Sequence, residues 1–130
     1  MNREEITIYW IESSDKDFRT MEHLYKSKDY SWSLFIGHLV IEKLLKAYYI
    51  KVKDTQHPFF HDLMRIIEKT ELLVTEEQKL FFNTVTTFYL NARYEDYKFH
   101  FSRKCTPEYT DHWINQIKYY RKWIKEKLLK

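Results

Sequence analysis

Across 130 residues the chain has one glycine and two prolines. Hairpin turns and Gly-rich phosphate loops need residues that enter positive φ without steric cost, and glycine is the residue that does so. One glycine cannot furnish a series of such positions. The scarcity argues against β architecture, a Rossmann fingerprint and a P-loop together. It leaves helices joined by short breaks, an all-α bundle of antiparallel helices.

Such a bundle needs a core, and 44% of the residues are hydrophobic. Eleven Tyr, nine Phe and four Trp supply large buried areas per side chain. The length fits one domain over residues 1–130. The net charge of +3 permits contact with nucleic acid or phosphate without requiring it. Cys105 is the lone cysteine, which excludes an internal disulfide and fits a reducing compartment. The N-terminus has Glu4 and Glu5 where a signal peptide would have an apolar run. No stretch reaches the roughly 20 apolar residues of a membrane span. A cytoplasmic protein without membrane association is expected.

Periodicity predicts a first helix over Glu4 to Lys26, with Ile11, Ser14, Phe18, Met21 and Tyr25 at helical spacing. Lys28 and Asp29 mark a break. A second helix is predicted from an N-cap at Ser31 to about Val52. Its first half, with Trp32, Leu34, Phe35, Ile36, Leu39, Val40 and Ile41, is apolar almost all round, which predicts a central position. Glu42, Lys43 and Lys46 then predict that its C-terminal half reaches the surface. Asp54 to Phe60 reads as a loop, followed by a short helix near His61–Asp62. Thr75 and Gln78 form a capping-box pattern opening a fourth helix. Asn91 to Thr106 has no clear assignment. Thr106-Pro107-Glu108 opens a last helix with Trp113, Ile117, Tyr120, Ile124 and Leu128 on one stripe.

Four groups of residues could carry chemistry. Glu42 and Lys46 are spaced to pair, and His38 lies one turn earlier, within donating reach of Glu42. Either they form a structural ion pair, or Lys46 belongs to a phosphate or nucleotide site. His57, His61 and Asp62 lack the spacing of a metal site, and an Asp in a first helical turn is explained by capping, so no metal is expected. Arg93, Tyr94, Tyr97 and His100 form the densest polar–aromatic segment. Arg forks onto phosphate oxygens, Tyr stacks on bases, and His moves protons near neutral pH. The competing reading pairs Arg93 with Glu95, Asp96 or a distant acid and leaves His100 an ordinary surface residue. Lys118, Arg121, Lys122, Lys125, Lys127 and Lys130 on the last helix read as a solvated basic face matched to the helix dipole, or as the edge of an RNA-binding surface.

The order Trp10, Ser14 and Asp17, then Tyr30-Ser31, Phe35 and Ile41-Glu42-Lys43-Leu44-Leu45-Lys46-Ala47, then His61-Asp62-Leu63 and Ala92-Arg93-Tyr94, resembles the HEPN domain family. The resemblance runs from about Ile8 to Leu129. It implies an up-and-down bundle of four to five helices. It also implies one of two activities. Catalytic members are metal-independent ribonucleases, often toxin halves of toxin–antitoxin pairs beside a minimal nucleotidyltransferase. Their Arg is followed by a His after four to six intervening residues, and the pair forms a site between two subunits of a homodimer. Arg93 and His100, with six residues between them, match that spacing and would be the catalytic pair on RNA, needing no cofactor. Other members bind nucleotides or act as partners of the transferase. Ala92-Arg93-Tyr94 is similar to that branch, although Glu95 stands where Pro usually follows. In that reading Arg93, Lys46 and Tyr94 contact the nucleotide and His100 is incidental.

Overall fold

The computed structural model describes Met1 to Lys130 as six helices and no strand. They are α1 (Arg3–Lys26), α2 (Tyr30–Val52), α3 (Leu63–Glu68), α4 (Glu76–Arg93), α5 (Glu95–Lys104) and α6 (Pro107–Leu128). Four are long and two short. The helix beyond the expected four to five comes from the stretch that has no clear assignment in the sequence. There α4 runs on to Arg93, Tyr94 breaks it with an extended backbone, and α5 follows. Phe101 alone is buried on α5, so apolar periodicity gives little sign of it. Its charges fit a helix, with Glu95 and Asp96 in the first turn and Arg103 and Lys104 in the last.

The helix starts follow local rules. Asn2 and Glu5 form a capping box on α1, and Thr75 and Gln78 form another on α4. Asp62 accepts from the Arg65 N–H, and Thr106 from the Tyr109 N–H. The start of α2 differs from expectation. Tyr30 is its first residue and Asp29 its cap position, without a side-chain cap bond. The break before it needs a left-handed residue, and Lys28 takes that role at φ 67. A non-glycine there costs roughly 1–2 kcal/mol.

α2 is the centre, packed against α1, α3, α4 and α6. Ser14 donates to the Val40 carbonyl at 2.8 Å and Ser33 to the Met21 carbonyl at 2.8 Å, stitching α1 to α2 without orphaned hydroxyls. Gly37 lets α2 lie close to its neighbours: a Cβ there would sit 2.6 Å from Ile117 Cδ1 and 3.2 Å from Met21 Sδ. Large rings fill the space between α4 and α6. Phe81 stacks on Tyr120 at 3.9 Å, and Phe88 meets Trp113 edge to face at 5.7 Å.

One expectation about α2 is overturned. Its C-terminal half does not bring Glu42 and Lys46 to the surface: their side chains are 5% and 6% exposed. Lys43 is the one that turns outward, and it pairs with Asp17 at 2.7 Å. The buried pair is covered by residues that return to α2 from elsewhere in the chain.

Candidate functional site

Glu42 is the hub of a polar cluster on the central helix. Lys46 Nζ donates to its Oε2 at 2.9 Å, and His61 Nδ1 donates to its Oε1 at 2.8 Å. An ammonium and an imidazole N–H thus each take one carboxylate oxygen. Burial without such partners would cost several kcal/mol (about 3–5 for a broken pair). Lys46 also lies 5.7 Å from the Trp10 ring centroid, so α1 helps to close the site.

His38 does not donate to Glu42 as its spacing suggested. Its Nε2–H bonds the His61 carbonyl at 2.7 Å, and its Nδ1 is left without a partner, 3.8 Å from Glu42 Oε1. Burial holds His38 below the usual histidine pKa, against the opposing pull of Glu42, so the ring is neutral. Its role is to pin the His61 backbone. The next turn is anchored as well, since the Leu63 N–H donates to Thr86 Oγ1 on α4 at 3.1 Å. α3 is short, and these two bonds fix its start while Leu63, Met64, Ile66 and Ile67 bury its apolar face.

The His61 ring stacks on Tyr89 of α4, with centroids 4.1 Å apart and planes at 17°. With Nδ1 committed to Glu42, its Nε2 is the nitrogen that remains for a ligand. The side chain is 46% exposed. Arg93, one turn beyond Tyr89, donates to the Tyr89 hydroxyl, and its Cζ lies 4.8 Å from that ring centroid. One phenol ring therefore holds both His61 and Arg93. Arg93 pairs with neither Glu95 nor Asp96; Glu95 pairs with Lys98 at 3.3 Å.

His100 lies elsewhere. With Asn91, Tyr97, Phe101 and Lys104 it lines a groove of about 220 Å³. Asn91 and Arg93 are two residues apart on α4 and so point about 200° apart. Arg93 does not line the groove that holds His100. Tyr94, at the α4–α5 break, and Tyr97, in the first turn of α5, are exposed, 52% each.

Other sequence candidates resolve into structural roles. His57 packs on Trp10 at 4.7 Å, and Asp62 caps α3, so neither joins His61. No group of three His, Cys, Asp or Glu side chains is arranged to hold a metal. On α6, Arg121 and Lys125 both pair with Asp15, at 3.0 and 2.7 Å, and Lys118 with Glu22 at 3.6 Å. Much of the basic face thus binds α1. Cys105 is buried, its thiol pushed up to about 12 by that burial, and it is no nucleophile.

Residues 7–128 match the HEPN domain, nearly the full chain. The chain belongs to the HEPN family. No curated protein is similar in sequence at a significant level. Among solved structures, TT1696 from Thermus thermophilus shares the fold, with a TM-score of 0.81 at 20% identity over 98% of this chain and 99% of that one. No helix of this HEPN protein is long and apolar enough to cross a membrane. Residue spacing points to Arg93 in the HEPN chain, but not to the neighbours it acquires. In the sequence His61 stands out as a metal-ligand candidate and as part of the His61-Asp62-Leu63 motif of the resemblance, while Tyr89 is not singled out. The signal that could have joined them is the four-residue step from Tyr89 to Arg93.

Proposed function

We propose that this HEPN protein binds RNA, with Arg93 as the anchor for a phosphate. The observation that carries this reading is the state of the guanidinium: exposed, held by the Tyr89 hydroxyl and free of any carboxylate. A pre-oriented Arg fork without an internal counter-ion suits a phosphate oxygen pair. The exposed rings of Tyr94 and Tyr97 offer stacking faces for bases near the same helix break. Lys46 is set aside as a direct contact, because its ammonium is buried on Glu42.

An RNA-directed protein of this kind suits the toxin half of a toxin–antitoxin pair with a minimal nucleotidyltransferase as partner. If Arg93 and His100 cut the bound RNA together, they come from two subunits of a homodimer, because in one chain they open on different sides. A second reading is a nucleotide-binding module serving such a transferase. The separation of Arg93 from His100 favours it, since nucleotide binding needs only the former.

Fluorescence anisotropy with a labelled single-stranded RNA tests the reading. Binding is expected to weaken steeply with salt and to fall about tenfold in Arg93→Ala. Binding by Arg93→Ala equal to wild type, or no binding at low salt, overturns it. Displacement of the RNA by ATP at low concentration shifts the reading to the nucleotide-binding module.

A further inference from the structure

We propose that Asp54–His61, in the irregular segment between α2 and α3, is a proton-operated strap: it closes over the buried Glu42–Lys46 pair near neutral pH and lets go in mild acid, when His38 takes up a proton. The inference is independent of the RNA-binding reading.

The strap has little of its own to hold it. No backbone group from Asp54 to His61 bonds another backbone group. Phe60 packs against the core, with the Arg65 guanidinium 3.7 Å from its ring, and His57 meets Trp10 at 4.7 Å. The hydrogen bonds that tie the segment to the central helix both run through His61. Its ring Nδ1 donates to Glu42 Oε1 at 2.8 Å, and its carbonyl accepts from His38 Nε2 at 2.7 Å. A stretch this poor in internal bonds opens locally at a lower cost than a packed helix.

His38 is the group placed to sense a proton. Its side chain is wholly buried and its Nδ1 has no partner. The carboxylate facing that nitrogen is Glu42, with Oε1 at 3.8 Å, too far for a hydrogen bond and already filled by His61. Lys46 takes the other oxygen at 2.9 Å. A protonated His38 therefore competes with His61 for one oxygen. It also adds a second positive charge beside Lys46 in the interior, where an uncompensated charge is costly. Release of His61 relieves both: Glu42 Oε1 becomes free for His38, and water reaches the ring from the side that the strap had covered. It also uncovers one face of Tyr89, on which His61 stacks.

The charged and titratable neighbours set the direction. Glu42 and Lys46 face His38 from α2, His61 from the strap, and Tyr89 from α4 with its ring centroid 5.2 Å away. α1 contributes the Trp10 ring, which does not titrate, against Lys46. Burial is the largest influence and holds His38 below the usual histidine pKa while the strap is closed; Glu42 opposes it and Lys46 adds to it. In the open state the ring is hydrated and titrates near the ordinary value, about 6.5. Opening is thus linked to uptake of one proton, and a fall in pH favours it.

The test is amide hydrogen exchange by NMR on the full chain, read at Leu63, whose N–H bonds Thr86 Oγ1 just beyond the strap. Protection is compared at pH 7.5 and 5.5, each against the rate of an unstructured peptide at the same pH. Wild-type protection at Leu63 is expected to fall about tenfold over that interval, as one proton with an open-state pKa near 6.5 requires. Phe88 in α4 and Ile117 in α6 are expected to keep theirs. His38→Gln puts an amide N–H where Nε2 was, keeping the bond to the His61 carbonyl, and does not titrate; its Leu63 protection is expected to be the same at both pH values. His57→Phe keeps a ring on Trp10 and removes the other histidine of the strap; it is expected to retain the tenfold fall. Unchanged wild-type protection overturns the proposal. So does an equal fall at Phe88 and Ile117, which is global unfolding, and so does a fall that persists in His38→Gln. Should His38→Gln not fold, His57→Phe still decides, because loss of the fall in that variant assigns the proton to His57 and overturns the proposal.

Discussion

Glu42 Oε1 receives the Nδ1–H of His61 at 2.8 Å, although the two residues lie nineteen apart in sequence, Glu42 on α2 and His61 in the irregular segment before α3. The other oxygen of the same carboxylate is taken by Lys46. This arrangement makes a buried charge depend on two partners. Lys46→Met removes one of them and leaves the carboxylate under-compensated. It is expected to lower unfolding free energy by about 3–5 kcal/mol in urea titrations. The double variant Glu42→Leu with Lys46→Met is expected to lose less than the single one, because no charge is then stranded.

Tyr89→Phe keeps the ring under His61 and removes the hydroxyl that holds Arg93. On the RNA-binding reading, affinity falls several-fold, corresponding to about 1 kcal/mol for one hydrogen bond. The thermal midpoint stays near that of wild type. Anisotropy and a melting curve on the same preparation check both parts.

Burial holds the His38 pKa below its usual value in the folded chain, against the pull of Glu42. The unfolded chain takes up the proton at about pH 6.5, while the folded chain resists it. Stability from this group is thus fully present above that pH and is lost as the pH falls toward the folded value. Urea midpoints at pH 8 and pH 5 are expected to differ less in His38→Asn than in wild type.

Gly37→Ala brings a methyl to 2.6 Å from Ile117 Cδ1 and 3.2 Å from Met21 Sδ, both wholly buried side chains. The gain in helix propensity, about 1 kcal/mol, is outweighed by overpacking of roughly 1–3 kcal/mol. A net loss near 1 kcal/mol is expected by urea denaturation. Adding Ile117→Val removes the clashing methyl and is expected to recover it.

Cys105 is 5% exposed, and burial pushes its thiol up to about 12, against the opposing pull of Lys104. Alkylation by iodoacetamide at pH 8 is expected to be slow in the native protein and fast in urea. Mass spectrometry of the treated chain reads the difference.

The features legible along the chain are local ones. The Thr75–Gln78 box and the Thr106-Pro107 start place α4 and α6 because capping involves only neighbours within one turn. The apolar run from Trp32 to Ile41 marks α2 as central because a helix with no polar face has to be covered. Packing between helices set the rest. Glu42 and Lys46 look like surface residues in any local window, yet they are buried. The segment after α2 returns across them, pinned by His38 on the His61 carbonyl and by Thr86 on the Leu63 amide. Arg93 is visible as a candidate in the sequence, but the side chain it meets is Tyr89, the ring on which His61 also stacks. The break at Tyr94 and the roughly 200° between Arg93 and Asn91 turn Arg93 away from the groove that His100 lines. Spacing along the chain measures separation within one helix. Which side chains face each other across the bundle depends on how whole helices dock, and that is a property of the fold as a whole.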